Sequence, residues 1–268
     1  MTLLSPERAE AVDALIRTVA RDIVLPRYRN LAAEHIHEKA ADDLVTIADH
    51  ESEARLAEGL AAILPDARVI GEEACVADPS LLERFGDSLV WIIDPIDGTG
   101  NFAAGRPPFG ILIALAADGE ARAGWLYDPL TGRMCHAVAG QGAFINGEPV
   151  RARESGMAPP VAGISLLYVD PDKRRSIITR AEGRLNMVDI PRCAAEQYPR
   201  VVLGQNDLAL FERTLPWDHA AGALFLTEAG GRALRPDGLP YRVDDPRPGL
   251  LAAASPRLWD MGAAIVFA

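Results

Sequence analysis

The sequence predicts a layered α+β fold in which helices cover central β-sheets. Three observations predict it. Apolar residues recur at helical spacing near the N-terminus, short β-branched and aromatic runs dominate the middle, and strand-like and helix-like segments alternate from about residue 151. At 268 residues, of which 49% are hydrophobic, the chain can bury a large core. We expect one compact unit with an N-terminal half, 1–150, and a C-terminal half, 151–268.

Two helices are predicted at the start of the chain. Ser5-Pro6-Glu7 resembles an N-cap with proline in the first turn, and apolar residues at helical spacing carry this helix to about Pro26. A second helical face follows Asp43 and stops at Leu64-Pro65. Its apolar members are Leu44, Val45, Ile47, Ala48, Leu56, Leu60 and Ile63.

The periodicity then changes to that of strands. Buried strands are predicted at 68–70 and 89–93, and each ends in acidic residues. Runs at 111–115, 123–127 and 134–138 predict a meander, with hairpin turns at Asp118-Gly119 and Asn146-Gly147. The second half predicts a strand at 161–167, helices at 173–181, 193–203, 218–229 and 258–266, and two further strands before the last helix.

The chain is acidic, with a formal net charge of −11. This charge excludes a general attraction to nucleic acid polymers or anionic membranes, because both need a basic surface. An anionic substrate would be repelled unless cations or basic side chains reverse the field locally. The three cysteines form no metal-binding pair, and residues 1–10 lack the apolar stretch of a signal peptide. We therefore expect a soluble, cytoplasmic protein.

Two aspartates follow a predicted strand at a spacing that indicates a metal site. Asp94 ends the strand, Pro95 fixes the backbone and Asp97 follows after one turn. Two carboxylates held so close need a cation, and oxygen ligands suit Mg²⁺ or Mn²⁺, with the Ile96 carbonyl as a further candidate. Gly98-Thr99-Gly100 then offers N–H groups and a hydroxyl to a phosphate, if a helix starts there.

Each acidic segment also has a purely structural interpretation. The sequence from Asp94 to Gly98 is favourable for a surface turn. Glu72 and Glu73 suit a solvated strand end, and Asp218 suits the cap of a helix. No segment alone decides between the two interpretations.

The decisive observation is that these motifs occur together and in order. The chain carries DLVT at 43–46 with Asp49, GEE at 71–73, DPIDGTGNF at 94–102 and WDHAAG at 217–222. This set resembles the signature motifs of the inositol monophosphatase family and its superfamily, which includes fructose-1,6-bisphosphatases. The resemblance spans at least residues 43–231 and implies that family's α-β-α-β-α sandwich. The resemblance identifies the superfamily specifically but is only weak evidence for the identity of the substrate.

The resemblance implies a role for each matching residue. The metal ligands would be Glu72, Asp94, the Ile96 carbonyl, Asp97 and Asp218. Thr99 and Asp43 would orient the attacking water, with Glu72 also acting in catalysis. The substrate would contact Gly98, Thr99, Ala194, Glu212 and Asp218. The family further implies Mg²⁺ as cofactor, in two to three ions for which Mn²⁺ can substitute, and a homodimer.

The resemblance is weaker in the segments that contact the substrate in this family. A GSAA-like segment of the family reads Arg192-Cys193-Ala194-Ala195 here, and Glu212 lies one residue closer to Asp218 than in typical members. Arg192 is either a cation for a second anionic group on the substrate or a surface residue at a helix start. His219 invites a general-acid role, although residues after a helix cap more often serve as supporting or surface groups.

We therefore predict a Mg²⁺-dependent phosphomonoesterase that hydrolyses inositol monophosphate or a similar small polyol or sugar phosphate with metal-activated water. Fructose 1,6-bisphosphate, histidinol phosphate and 3′-phosphoadenosine 5′-phosphate are alternative substrates on the same fold. The alternative of another class is a non-catalytic regulatory protein that binds metal and phosphate. Its expected mark is the loss of a metal ligand or of Thr99 or Asp43, and all of these residues are present.

Overall fold

The computed structural model describes residues 4–31, 36–40 and 43–268, with the side chains of all of these except 36–40 and 43. The helices are α1 (Pro6–Val19), α2 (Leu25–Arg27), α3 (Ile47–Ile63), α4 (Glu72–Ala77), α5 (Thr99–Ala103), α6 (Pro171–Ala181), α7 (Ala194–Val202), α8 (Pro216–Glu228) and α9 (Pro256–Val266). A π-helical turn, Ala20–Val24, joins α1 to α2, and a 3₁₀ helix spans Pro79–Arg84.

The described strands form a two-, a seven- and a five-stranded sheet. The first contains β1 (Ile36–Ala40) and β2 (Asp43–Thr46). The second has the order of the chain: β3 (Arg68–Gly71), β4 (Val90–Asp97), β5 (Gly110–Ala117), β6 (Glu120–Asp128), β7 (Arg133–Val138), β8 (Gly142–Ile145) and β9 (Glu148–Val150). The third has the order β11 (Asn186–Val188), β10 (Val161–Ile164), β12 (Leu208–Phe211), β14 (Leu250–Ala253) and β13 (Arg232–Leu234).

Helices and the two larger sheets alternate in five layers. Helices α1 and α3 pack on one face of the seven-stranded sheet, and α8 packs on the other face beside α7. Helices α7 and α8 also contact the five-stranded sheet, whose far face is covered by α6 and α9. The α-β-α-β-α sandwich expected from the sequence is confirmed.

The centre of the seven-stranded sheet is buried on both faces. Every residue of β4 and β5 is buried, so these strands form continuous apolar runs. Because successive side chains of a strand point to opposite faces, Ile111 and Ile113 join the core under α1 and α3. Leu112 and Ala114 join the core on the α8 side. This packing fixes the end of β4, where Asp94 and Asp97 lie.

The hairpin turns form where the sequence predicts them. Asp118 and Gly119 both have positive φ, 52° and 80°, and connect β5 to β6. Asn146 and Gly147 do the same between β8 and β9, with φ of 52° and 84°. Positive φ at both central residues is what a type I′ hairpin requires.

Several element ends differ from the sequence prediction. Strand β4 runs on to Asp97 and does not end at Asp94, and its pairing with β5 is irregular between the two aspartates. Leu44 and Val45 belong to β2 and not to the second helix, because Thr46 and Asp49 form a capping box that starts α3 at Ile47. The strand predicted at 161–167 ends at Ile164 as β10. Strands β1, β2, β11 and β12 are not predicted. β1 and β11 lack a period-2 apolar pattern, whereas the apolar run of β12 was a signal that the prediction missed.

The two larger sheets lie in different parts of the sequence. The seven-stranded sheet is built from residues 68–150 and the five-stranded sheet from residues 161–253. The proposed division at 150/151 stays a prediction, and α8 of the second half packs on the sheet of the first. Within the part of the chain described here, no helix is long and apolar enough to cross a membrane.

Candidate active site

Three aspartates from two elements converge at the end of β4. One carboxylate oxygen from each of Asp94, Asp97 and Asp218 lies within 4.8 Å of the others. Asp94 and Asp97 belong to β4, and Asp218 lies in the first turn of α8. Asp94 and Asp97 are buried and Asp218 is half-buried. The fold thus brings together carboxylates that are more than 120 residues apart in the chain.

The electrostatics of this cluster call for a cation. Oδ1 of Asp94 is buried and accepts no hydrogen bond from any described residue. Burial raises the pKa of Asp94 well above its ordinary value, and the nearby carboxylates of Glu72, Asp97 and Asp218 raise it further. A buried oxygen with no donor, surrounded by other anions, is the environment that a divalent metal ion satisfies. The all-oxygen donor set fits Mg²⁺ or Mn²⁺.

Asp97 is fixed by the start of α7. Its Oδ2 accepts a 2.6 Å hydrogen bond from the N–H of Ala195. Burial raises the pKa of Asp97, whereas this N–H and the thiol of Cys193 lower it by hydrogen-bonding to the carboxylate. The start of α7, within the segment Arg192-Cys193-Ala194-Ala195, is therefore hydrogen-bonded directly to the acidic cluster.

Glu72 is the first residue of α4 and lines the same cavity. The start of α4 is held by Glu53, whose two carboxylate oxygens accept 2.8 Å hydrogen bonds from the N–H groups of Glu73 and Ala74. An acidic group at a helix N-terminus is stabilised by the free N–H groups there. Sequence reasoning missed Glu53, because its partners lie 20 residues away.

Thr99 pairs with Asp49. The Thr99 hydroxyl lies 3.3 Å from Oδ1 of Asp49 and 2.8 Å from the carbonyl oxygen of Ile96. The other oxygen of Asp49, Oδ2, accepts from the N–H and the hydroxyl of Thr46 at 2.8 and 2.6 Å. The sequence prediction gave Asp43 as the partner of Thr99, but the side chain of Asp43 lies outside the described residues. Asp49 was present in the same motif, and its position in the capping box was the missed signal.

The turn between β4 and α5 needs glycine. The helix after it is hydrogen-bonded to Pro191, next to the segment Arg192-Cys193-Ala194-Ala195. Gly98 has a φ of 81°, and an added Cβ would lie 3.1 Å from the carbonyl oxygen of Pro108. The Asn101 amide donates to the carbonyl oxygens of Pro108 and Pro191 at 2.8 and 2.9 Å. The predicted helix start after Gly98 is thus present, at Thr99, and its surroundings are rigid.

These residues line a cavity of about 470 Å³ between the two larger sheets. The sequence-predicted residues in its wall are Glu72, Asp94, Ile96, Asp97, Gly98, Thr99, Gly100, Ala194, Asp218 and His219. Three arginines that were not predicted together also line it: Arg106, Arg192 and Arg213. They supply positive charge at the cavity of an otherwise acidic protein.

Glu212 is not brought into the cavity wall. Its carboxylate forms a 2.5 Å ion pair with Lys173 and is largely buried. Phe211 and Arg213, on either side of it, line the cavity instead. Glu212 lies at a bend directly after β12, where its carboxylate is bonded to Lys173.

His219 is a buried structural link. Its Nδ1 lies 2.9 Å from the Tyr198 hydroxyl and its Nε2 lies 3.0 Å from the carbonyl oxygen of Arg213. Burial lowers the pKa of His219 to about 3. The ring is therefore neutral, donates from Nε2 to the carbonyl and accepts at Nδ1 from Tyr198. This arrangement favours the supporting role over the general-acid role, and it ties α7 to α8.

The five-layer sandwich, the buried oxygen-donor cluster and the glycine-flanked helix start beside it define the class of metal-dependent phosphatases. The sequence profile described as "Inositol monophosphatase family" matches residues 6–266, nearly the whole chain. The protein belongs to this family, as the sequence motifs predicted.

Named relatives and solved structures agree with this membership. The chain is 36% identical over 189 residues to the fructose-1,6-bisphosphatase/inositol-1-monophosphatase of Thermotoga maritima, covering 70% of each protein. It is 32% identical to inositol monophosphatase 2 of Solanum lycopersicum, over 85% of this chain and 88% of that one. A solved Thermotoga maritima IMPase matches 97% of the chain and is itself 98% covered, with a TM-score of 0.79 and 26% identity. SuhB of Bartonella henselae, at 23% identity with the same coverages, shares the fold with a TM-score of 0.81.

Proposed function

We propose that this protein is a Mg²⁺-dependent phosphomonoesterase acting on inositol monophosphate or a similar small polyol or sugar phosphate. The observation that carries the proposal is the convergence of Asp94, Asp97 and Asp218 around a buried oxygen that no described residue satisfies. Hard oxygen ligands of this kind suit Mg²⁺. Family membership supports the phosphatase activity, and the names of the relatives support the substrate class.

The residues of the cluster have separate tasks in this proposal. Glu72, Asp94, Asp97, Asp218 and the Ile96 carbonyl would hold the metal, which when bound neutralises the phosphoryl group and lowers the pKa of water. Gly98 and Thr99, at the start of α5, would bind the phosphate oxygens through their N–H groups.

The attacking water is oriented by Thr99 and Asp49. A threonine hydroxyl has one proton, and the carboxylate of Asp49 and the Ile96 carbonyl are both within reach of it. When the proton is donated to Asp49, the lone pairs of the hydroxyl accept a hydrogen bond from water. As the water attacks, it passes its proton to the Thr99 oxygen, while Thr99 passes its own proton to Oδ1 of Asp49. We assign to Asp49 the role that the family resemblance implied for Asp43.

The release of inorganic phosphate tests the proposed activity. The purified protein is stripped of metal with a chelator and assayed on inositol 1-phosphate, glycerol 2-phosphate, histidinol phosphate and a nucleoside bisphosphate, with and without added Mg²⁺. We expect hydrolysis only with the metal, and the highest kcat/KM for a polyol or sugar phosphate. Equal turnover without metal, or none on any ester, would contradict the proposal.

Replacement of Thr99 by alanine should lower kcat by about 100-fold, the lower end of the range for a proton-transfer group. The KM should change much less, because the loss affects the orientation of water and not the binding of the ester. Thr99→Ser keeps the hydroxyl and is the matched control, with kcat within about fivefold of the wild type. Steady-state kinetics on the best ester check the pair. An equal fall in the kcat of both variants would rule out the hydroxyl as the group that orients the water.

Arg192 favours a second candidate substrate, one that carries another anionic group besides the phosphate that is hydrolysed. Arg192 lines the cavity with its backbone in the left-handed region, at a φ of 54°. This conformation costs a non-glycine residue about 1 kcal/mol. No hydrogen bond or ion pair to the rest of the described chain offsets that cost. Strain of this kind beside an active site indicates a functional side chain, and a sugar bisphosphate would supply its partner.

Replacement of Arg192 by glycine separates the two candidates. If the arginine binds a second anion, kcat/KM for fructose 1,6-bisphosphate should fall about 10- to 100-fold more than that for inositol 1-phosphate, as expected for a lost charge-assisted hydrogen bond. The melting temperature should stay level or rise, because glycine relieves the strain. Arg192→Lys keeps the charge and should retain most of the discrimination. Equal effects on both esters would leave the monophosphate as the substrate.

We further propose a cytoplasmic location and a homodimer. Cys75, Cys135 and Cys193 are buried free thiols, which suits a reducing compartment. The homodimer extends the expectation from the family to this chain, and light scattering during size-exclusion chromatography tests it.

A further inference from the structure

A buried amide in the cavity wall has no protein partner. Gln197, in the second turn of α7, is only 3% exposed. Neither its Nε2 nor its Oε1 forms a hydrogen bond with any residue that the structure describes. Most buried polar atoms in folded proteins have a partner, so an amide with two unsatisfied atoms requires an explanation. Gln197 is one of the residues that line the cavity, so a molecule bound there is a candidate partner.

The position of Gln197 separates it from the acidic cluster. The predicted metal and phosphate residues come mainly from β4 and the start of α5, on the seven-stranded sheet. Gln197 shares the cavity wall with Gly163 and Ser165, at the end of β10, and with Leu210 of β12, all from the five-stranded sheet. A phosphate ester that spans the cavity would therefore place its phosphate at the acids and its organic part at Gln197.

Gly163 makes room for this amide. A Cβ added at residue 163 would lie 3.0 Å from Nε2 and 3.2 Å from Oε1 of Gln197. Both distances are shorter than ordinary van der Waals contact. Any side chain at 163 would therefore crowd the amide. The absence of a side chain at residue 163 thus leaves the space that the Gln197 amide occupies.

We infer that Gln197 is a specificity-determining residue that binds a hydroxyl group of the alcohol part of the ester. An uncharged amide offers N–H donors and one carbonyl acceptor, and a hydroxyl both donates and accepts. The match is to a neutral polyol or sugar, and an alkyl or phenyl group would leave both amide atoms unsatisfied. A site built to bond a hydroxyl discriminates strongly against analogues that lack one. This inference rests on the proposed phosphatase function. It identifies the part of the substrate that the enzyme recognises.

The chain offers a matched control in Asn206. Its side chain is also 3% exposed, and its Nδ2 likewise has no hydrogen-bond partner among the described residues. It borders the same glycine, with Nδ2 2.8 Å from a Cβ added at 163. Asn206 is absent from the cavity wall. A purely structural effect of removing a buried amide beside Gly163 should therefore appear at Asn206 as well as at Gln197.

The test compares Gln197→Met with Asn206→Leu on two esters. Inositol 1-phosphate carries hydroxyls on its alcohol part and phenyl phosphate carries none. We expect the kcat/KM of Q197M for inositol 1-phosphate to fall at least about tenfold more than its kcat/KM for phenyl phosphate. N206L should keep the wild-type ratio between the two esters. Gln197→Glu, which keeps the shape but loses the N–H donors, should also lose discrimination.

Equilibrium binding by calorimetry repeats the comparison without turnover. The Kd of inositol 1-phosphate should weaken about tenfold or more in Q197M relative to that of phenyl phosphate. An unchanged ratio in Q197M, or the same change in N206L, would overturn the role of Gln197. A wild-type protein that binds these esters without hydrolysing either would refute the proposed function and still decide the inference about Gln197.

Discussion

Replacement of Asp94 by asparagine is expected to lower phosphate release by about 1,000-fold or more while leaving the metal-free protein at least as stable. The acid contributes a buried carboxylate oxygen that no described residue satisfies. Its loss should remove metal binding, and with it several kcal/mol of transition-state stabilisation. In the metal-free protein the same change removes a charge that Glu72, Asp97 and Asp218 oppose. Phosphate release and thermal unfolding in a chelator measure the two effects.

Asp207 is the matched control for this prediction. It is also a buried aspartate, at 2% exposure, but its carboxylate accepts hydrogen bonds from the N–H groups of Ser155 and Val161 and from the Ser155 hydroxyl. Asp207→Asn replaces an acceptor oxygen among donors and should cost about 2 kcal/mol of stability. Its folded fraction should retain activity. Substantial turnover by D94N, or a D94N protein destabilised as much as D207N, would contradict the assignment of Asp94.

Replacement of Gly222 by alanine is expected to lower the free energy of unfolding by about 2–3 kcal/mol, as overpacking of a core does. An added Cβ would lie 2.0 Å from Cδ2 of the Tyr198 ring, which is fully buried and cannot move aside. Tyr198 bonds to His219, so its displacement would disturb the link between α7 and α8. Activity should fall too, because α7 holds Asp97 through Ala195. Urea unfolding measures the stability.

Gly59 provides the comparison for Gly222. It also lies inside a helix, and an added Cβ there would meet the terminal methyl carbons of Leu15 at 2.5 and 2.6 Å. Leu15 is half-buried and can change rotamer, whereas the Tyr198 ring cannot. Since alanine favours a helix over glycine by about 1 kcal/mol, G59A should be neutral or slightly stabilising. Equal losses of unfolding free energy in both variants would show that the packing between α7 and α8 is no more sensitive to an added methyl group than that between α1 and α3.

The parts of the fold that the sequence predicts well are those with local signals. The strands around Asp94 and the hairpins at Asp118-Gly119 and Asn146-Gly147 follow from apolar runs and turn residues within a few positions. Leu44 and Val45 were misassigned because their apolar character continues the helical period, although Thr46 and Asp49 carry a capping box. Strand β11 has three exposed residues and forms through its parallel pairing with β10, which no local pattern reveals.

The candidate site divides in the same way. Asp94, Asp97 and Asp218 are predicted to act together only because their motifs resemble those of one family, since no segment alone indicates its partners. The supporting contacts of Glu53 and His219 depend on partners brought close only by folding. Glu212 also depends on a distant partner, because it lies at a bend after β12 and is bonded to Lys173, 39 residues away.

The proposed chemistry requires that the carboxylates at the end of β4 and the start of α8 bind a divalent cation. The direct measurement is anomalous scattering from a crystal grown with Mn²⁺. We expect an anomalous peak within coordination distance of the carboxylates of Asp94, Asp97 and Asp218. A crystal saturated with Mn²⁺ that shows no peak between these side chains would contradict the claim.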